Sequence, residues 1–296
     1  LRSPKLSPST RAKIAHGAGT LAWSQGDYAA ARTLYKEGLS ISRKLGDKKA
    51  VVLALNNLGL IASDQGDHPT ARRLYEEGLA ISRELDDKQS LGLLLNNLGN
   101  EVWFEGDLAR ARTLYEESVA LDRELGDRRG IALGLINVGM LATEQGDYAQ
   151  AQACHEEGLA IGRELGDKFC ISRALSSLAV VALKQGDHTG AAALTRESLA
   201  MGHELGDKRG IAERLEELAG ALCKQDQVDS AYAARLLGTA DALRQAIGAP
   251  PTPTEHSEYE RTLSVIKARL GDAALDEALQ EGRDMPLDEA IASALG

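Results

Sequence analysis

Residues 51–62 read Val-Val-Leu-Ala-Leu-Asn-Asn-Leu-Gly-Leu-Ile-Ala, and beyond Gly66-Asp67 comes a second segment, from Ala71 to Leu85. In that second segment Ala71, Leu74, Tyr75, Gly78, Ile81 and Leu85 follow i, i+3, i+4, i+7 spacing, while Arg72, Arg73, Glu76 and Glu77 take the other side. One apolar stripe on a 3.6-residue period predicts an amphipathic helix with one buried face. Residues 51–62 are apolar over a wider arc, as an inner helix must be when it packs on its own partner and on a neighbouring repeat. Gly66-Asp67 separates the two: a glycine past a helix end supplies the left-handed turn, and the aspartate caps the next helix.

The same punctuation recurs along the chain. Gly-Asp stands at 26–27, 66–67, 106–107, 146–147 and 186–187, always 40 residues apart. A second set, Gly46-Asp47, Asp86-Asp87, Gly126-Asp127, Gly166-Asp167 and Gly206-Asp207, keeps that period offset by half a repeat. A fixed period with two stops predicts stacked helix pairs, each helix roughly sixteen to eighteen residues long. Of the 30 glycines, 17 lie at repeat-locked positions. Helix-interior glycine costs about 1 kcal/mol against alanine, so Gly59, Gly99 and Gly139, and likewise Gly38, Gly78 and Gly158, imply close helix approach.

Gly59, Ala71, Tyr75 and Gly78 form a small–small–aromatic–small pattern that resembles the tetratricopeptide repeat. Five copies match, with His155 and Thr195 standing where Tyr35, Tyr75 and Tyr115 stand. A sixth copy is degenerate: it has Arg235 at the aromatic position and Gln225-Asp226-Gln227 where Gln-Gly-Asp is expected, but keeps Ala231 and Gly238. The resemblance implies an all-α, right-handed superhelical solenoid of helix pairs, somewhat longer per repeat than the usual 34 residues. A second, narrower resemblance lies in Leu21-Ala-Trp-Ser-Gln-Gly-Asp-Tyr and in the stretch from Arg235 through Glu281-Gly-Arg-Asp-Met-Pro. These are similar to the C-terminal repeat region of large bacterial signal-transduction ATPases and LuxR-type transcriptional regulators, which implies a sensor or regulatory arm. None of the ATPase motifs is present.

The expected organisation is an irregular segment over residues 1–10, six repeats over 11–248, a proline-rich linker at 249–254, and a helical cap at 255–296. Within the cap, helices are expected at 255–270, 272–281 and 287–295. The cap carries ten acidic and four basic residues, and the end of a solenoid needs a polar-faced terminal element. The first helix pair has no upstream Gly-Asp boundary, so Ile14 and Leu21 are expected to be covered by a preceding module or to support self-association at that end. The chain starts at Leu1 without methionine and is read as a fragment or processed piece.

Composition narrows the function. With 34 basic against 44 acidic residues, a net charge of −10, the chain lacks the basic footprint that direct nucleic-acid binding requires. No run of eighteen apolar residues is present to span a membrane. Three cysteines without Cys-x-x-Cys spacing suggest neither a disulfide framework nor a zinc site, and a cytoplasmic location is expected. No phosphate loop, dinucleotide fingerprint, nucleophile elbow or His-Glu-x-x-His motif occurs. No catalytic residue, cofactor or metal is therefore assigned, and the chain is read as a non-enzyme. Cys154-His155 is read as a core-facing cysteine beside a substituted stripe residue, Glu76-Glu77 and its repeats as a solvated face, and the recurrent aspartates as helix caps.

One polar feature asks for more. Asn56-Asn57, Asn96-Asn97, Asn137 and Ser177 recur at one register of the inner helix, although asparagine is a mediocre helix former. By the same register Leu60, Asn100, Trp103, Phe104, Met140 and Trp23 fall on or beside that arc. In the resembled fold this arc lines a concave groove, so these twelve residues are the candidate site for a protein or peptide partner. Two readings follow: an interaction module that binds a peptide or partner domain, or a structural spacer or oligomerising scaffold whose asparagines only set helix spacing.

Overall fold

The computed structural model describes residues 6–225 and 229–296, and among these it contains fifteen α-helices and no strand. In chain order they are α1 (Pro8–Ser24), α2 (Tyr28–Leu45), α3 (Lys48–Asp64), α4 (His68–Glu84), α5 (Lys88–Phe104), α6 (Leu108–Leu125), α7 (Arg128–Glu144), α8 (Tyr148–Leu165), α9 (Lys168–Gln185), α10 (His188–Leu205), α11 (Lys208–Cys223), α12 (Ser230–Ile247), α13 (Pro253–Leu270), α14 (Asp272–Asp284) and α15 (Leu287–Leu295). Odd-numbered α1 to α11 are inner helices and even-numbered α2 to α12 outer ones. The chain divides into two compact units, one ending at Gly134 and one running from Leu135 to Gly296.

Every expected stop is built as the sequence chemistry requires. Asp27, Asp47, Asp67, Asp87, Asp107, Asp127, Asp147, Asp187 and Asp207 each accept a backbone N–H three residues ahead, at 2.8–3.2 Å. Gly46 ends α2 in the left-handed region at φ 69°, and Asp86, which replaces that glycine after α4, holds φ 52°. Two boundaries differ from the sequence reading. Ser7 caps α1, whose helix begins at Pro8 rather than residue 11, so residues 8–10 are not irregular. Thr252 and Glu255 form a reciprocal capping box, so α13 starts at Pro253 inside the expected linker. Residues 1–5 of the expected irregular segment, and Asp226 and Gln227 of the altered sixth-repeat stop, lie outside the described residues.

In the first unit the spacing within a pair is set by a ring pressed onto a glycine. A Cβ at Gly19 would lie 2.8 Å from Tyr35, one at Gly99 would lie 2.5 Å from Tyr115, and one at Gly59 would intrude on the Tyr75 ring. Gly78 likewise admits Leu94. Gly38 is different: its nearest neighbour would be the Ala12 carbonyl at 3.6 Å, an ordinary contact, so close approach does not explain this glycine. Around these contacts Ala31, Tyr35, Val51, Leu55, Leu58 and Ile61 form a buried cluster. Asp122 is also buried, against Gly92 and Gly130. Burial, with Asp127 nearby, pushes its carboxyl up to about 6 despite a hydrogen bond from Ser118.

In the second unit the aromatic column thins. His155 and Thr195 are fully buried in place of tyrosine, and His155, not Cys154, is the core-facing member of that pair. Further along, α14 lies directly on α12. A Cβ on either Gly238 or Gly282 would strike the backbone of the other helix, and Thr239 Oγ1 donates to the Gly282 carbonyl at 2.9 Å. Ile266, Leu275, Leu279 and Ile291 join Leu215, Leu237 and Leu243 in one core. Arg244 fixes α13, bonding Glu216 through Nε at 2.7 Å and Nη2 at 2.8 Å and reaching Glu255 at 3.4 Å.

Glycine and aspartate substitutions test this account. Gly99→Ala should lower the melting temperature, because overpacking costs about 1–3 kcal/mol against a gain of about 1 kcal/mol in helix propensity. Gly38→Ala should raise it. Asp122 has a folded pKa above the ordinary carboxylate value, so its ionisation costs stability above about pH 6, and that cost fades as the pH falls through 6 towards 4. Asp122→Asn should therefore stabilise the protein at pH 7.5 and lose that advantage at pH 4, as read by thermal melts across that range.

Candidate functional site

Inner helices of the first unit meet through a recurrent side-chain step. Asn97 Nδ2 on α5 donates to Asn56 Oδ1 on α3 at 2.8 Å, Asn56 Nδ2 donates to Asn57 Oδ1 at 3.2 Å, and Asn57 Nδ2 reaches His16 Nδ1 on α1 at 3.4 Å. Trp23 Nε1 donates to Asp64 Oδ2 at 3.0 Å. Each contact between helices joins residues 41 apart, one repeat plus one residue. Burial holds the His16 pKa below its ordinary value, which keeps a ring nitrogen free to accept from Asn57.

This ladder divides the expected site residues. Asn56 and Asn97 are 5% and 7% exposed, and Asn137 in the second unit is 1% exposed. These three are not open to a ligand: Asn56 and Asn97 bond each other across the 41-residue step and Asn137 accepts from Arg173 on α9, since buried amides must find partners. Asn57, Leu60, Asn96, Asn100 and Trp103 are half-buried, while Trp23 and Phe104 are exposed. Asn100 accepts from Tyr115 Oη at 2.8 Å. On the same arc Leu53 and Leu93 are exposed at 45% and 44%. The surface of α3 and α5 thus carries leucines at one end, amides in the middle and, on α5, aromatic rings at the other.

The aromatic end rests on a buried carboxyl group that periodicity did not single out. Glu101 is 1% exposed in a column otherwise held by Ile61, Leu141, Val181 and Ala221. His68 Nδ1 lies 2.8 Å from its carboxylate, and the His68 ring stacks 4.6 Å from Phe104, which in turn lies 4.8 Å from Trp103. Burial raises the Glu101 pKa, opposed by hydrogen bonds from Ser63 and His68. A carboxylate in an aliphatic column is the signal that could have found it.

The second unit presents a different chemistry. Arg173 Nη2 on α9 donates to Asn137 Oδ1 at 3.1 Å and lies 4.0 Å from Met140 Sδ, with its guanidinium 5.9 Å from the Phe169 ring centroid. Ser177 and Met140 are half-buried. Ser176 beside Ser177 donates to Glu217 at 2.9 Å, and burial pushes that carboxyl up to about 7 against the pull of Arg214. His155 is held neutral, its pKa lowered to about 4 by burial and by the charge of Arg173. Among the described residues no group of three His, Cys, Asp or Glu side chains is arranged to hold a metal ion, and no helix is long and apolar enough to cross a membrane.

These features fit partner recognition, and comparison with known proteins agrees on the fold. No curated protein matches the sequence. Among solved structures, a Rap protein complexed with the competence and sporulation factor is similar, with a TM-score of 0.71 at 15% identity over 98% of this chain and 78% of that one. A Signal Transduction ATPase with Numerous Domains protein with a tetratricopeptide repeat sensor, from Pyrococcus horikoshii, gives a TM-score of 0.56 at 16% identity over 97% of this chain. This chain spans only 43% of that protein. Identities this low carry the fold alone. The family model of the tetratricopeptide repeat, however, matches residues 10–84, 50–124, 90–164 and 130–204 in overlapping steps of one 40-residue period. With glycine–ring contacts and aspartate caps recurring on that same period, the chain belongs to the tetratricopeptide repeat family.

Proposed function

We propose that this interaction module binds a peptide or extended partner segment on the inner-helix surface of its first unit, as the sensor or regulatory arm of a larger signalling or transcriptional regulator. The carrying observation is the exposure of Leu53, Leu93 and Phe104 around half-buried amides on α3 and α5, whose other large apolar residues are mostly buried, with Trp23 exposed on α1. Leu93 and Phe104 are eleven residues apart on α5, about 16 Å at 1.5 Å per residue. An extended peptide covers that distance in about five residues at roughly 3.3 Å each, so two anchor side chains five apart would reach both. Asn100 spends its carbonyl on Tyr115 and keeps its amide hydrogens to offer to a main chain.

The fold-level relatives support this reading. One was solved with a bound factor, and the other carries its repeats as a sensor beside a signalling ATPase. The spacer alternative draws on a different observation, the buried Asn56–Asn97 bond, which links two neighbouring inner helices and leaves neither amide to a ligand.

Peptides selected from a random library on the wild-type chain separate the two. Leu93→Ala with Phe104→Ala should weaken a selected peptide by at least tenfold or so, since anchor truncations at interfaces commonly cost about 2 kcal/mol or more, with little change in melting temperature. Asn56→Ala with Asn97→Ala should lower the melting temperature and leave the peptide's contacts in place. Selected peptides that bind the Leu93/Phe104 variant undiminished would remove this site, and failure to select any peptide would favour the spacer.

A further inference from the structure

The outer surface of the first unit breaks the charge pattern of its own repeat. The column that holds Glu76, Glu116 and Glu156 on the next three outer helices holds Lys36 on α2 and Arg196 on α10. Lys44 likewise replaces Glu84, Glu124, Glu164 and Glu204, and Arg73 on α4 stands where Thr33, Thr113 and Ala153 stand. These three cations, with Arg43, rim a groove of about 660 Å³ between α2 and α4, floored by Leu39, Leu58 and Leu74. Glu77 is the one carboxylate lining it, and it is already bound to Arg43 at 2.5 Å. Among the described residues Lys36, Lys44 and Arg73 make no ion pair. In a chain of net charge −10, residues 1–50 hold ten basic and three acidic side chains.

The opposite charge sits at the other end of the sequence. On α14, Leu275, Ala278, Leu279 and Gly282 are buried, which turns Asp276, Glu277, Gln280, Glu281 and Asp284 outward. Arg283 is the only cation on that helix. Lys267 already pairs with Asp272 at 2.6 Å and Arg235 with Glu281 at 3.4 Å, while Asp276 and Glu277 between them have no ion-pair partner among the described residues. The two helices also match in spacing. Lys36, Ser40 and Lys44 lie at i, i+4, i+8 on α2, and Asp276, Gln280 and Asp284 lie at i, i+4, i+8 on α14. Each row spans about 12 Å at 1.5 Å per residue, with acid set against base at both ends and a neutral residue between, Gln280 donating to Asp284 within its own row at 3.0 Å.

We propose that the basic groove between α2 and α4 receives the acidic face of α14 from a second copy of the chain. The contact pairs two different surfaces, the groove of one copy and the tail of another. It is separate from the inner-helix surface assigned to a peptide and does not depend on that assignment. It is also separate from the exposed Ile14 and Leu21 of α1, whose apolar association would strengthen with salt.

Sedimentation velocity of the full chain over a range of concentrations, at low and high salt, tests it. The wild type should associate at low salt, and its average mass should fall to that of the monomer at high salt, where screening acts within a few ångströms. The double variant Lys36→Glu/Lys44→Glu, which gives both positions the residue found in the next three repeats and so keeps the fold, should be monomeric, as should Asp276→Lys/Asp284→Lys. An equimolar mixture of the two variants should associate again, because each then supplies the surface complementary to the other. A wild type that stays monomeric at low salt overturns the proposal. So does association that survives both variants or grows with salt, which would point instead to the apolar face of α1.

Discussion

A tyrosine ring lying on a glycine backbone is the contact from which the rest of the first unit follows. Tyr35, Tyr75 and Tyr115 reach from the outer helix to Gly19, Gly59 and Gly99 on the inner helix, where no Cβ stands in the way. The helix interior accepts glycine at a cost of about 1 kcal/mol each because the alternative is to lift the ring and open the core beneath it. Once the pair is held that close, the next inner helix is near enough for Asn97 to reach Asn56 and for Asn57 to reach His16. Pair spacing and repeat stacking are therefore one constraint seen from two sides.

The second unit keeps that contact at its start, where the His155 ring lies on Gly139, and then builds with charge. His155 and Thr195 fill less space than tyrosine, and among the described residues the His155 ring nitrogens and the Thr195 hydroxyl are buried without a hydrogen-bond partner. At the same stage Arg214 becomes buried, donating to Ser198 Oγ at 2.9 Å and to Glu213 at 3.2 Å, while Glu217 accepts from Ser176 on the preceding inner helix. Arg244 then ties α11, α12 and α13 through Glu216 and Glu255. Buried charges are costly unless satisfied on several sides, and here each guanidinium meets at least two acceptors. The last helices add apolar cover, with Arg196 Nε and Tyr232 Oη bonded to the carbonyls of Ala294 and Ser293 on α15.

Helix number, caps and the buried stripe were legible because each depends on residues close in sequence. Asp67 caps the helix that begins at its neighbour, and Tyr75 faces the core because of its place on a 3.6-residue period. What could not be read was the direction in which a polar inner-helix residue faces once repeats stack. Asn56 and Asn57 differ by one position, yet one is buried against α5 and the other half-open, and the difference is set by a partner 41 residues away. The groove expectation placed both on one surface because periodicity resolves a face of a helix and not its crossing with the next. Glu101 was missed for a related reason: its column is aliphatic elsewhere, and the hydrogen bonds that make a carboxylate tolerable there come from Ser63 on α3 and His68 on α4, both distant in sequence.

A repeat also supplies its own reference state, which turns departures into information. Arg43 with Glu77 and Arg163 with Glu197 join at an offset of 34 residues, and Lys48 with Glu84 and Lys88 with Glu124 at 36, so outer surfaces meet in the same register throughout. Such exposed pairs are individually weak, and their recurrence marks the architecture rather than a site. Function is then sought where a column changes chemical class without a packing reason. Lys36 and Lys44 in glutamate columns, Arg173 in the column of Leu53 and Leu93, and Glu101 among aliphatics are such changes. Lys36, Lys44 and Arg173 alter the charge of the face that carries them, and Glu101 places a carboxyl beneath one, while the helix pairs keep their geometry, so a uniform scaffold carries distinct chemistry on successive repeats.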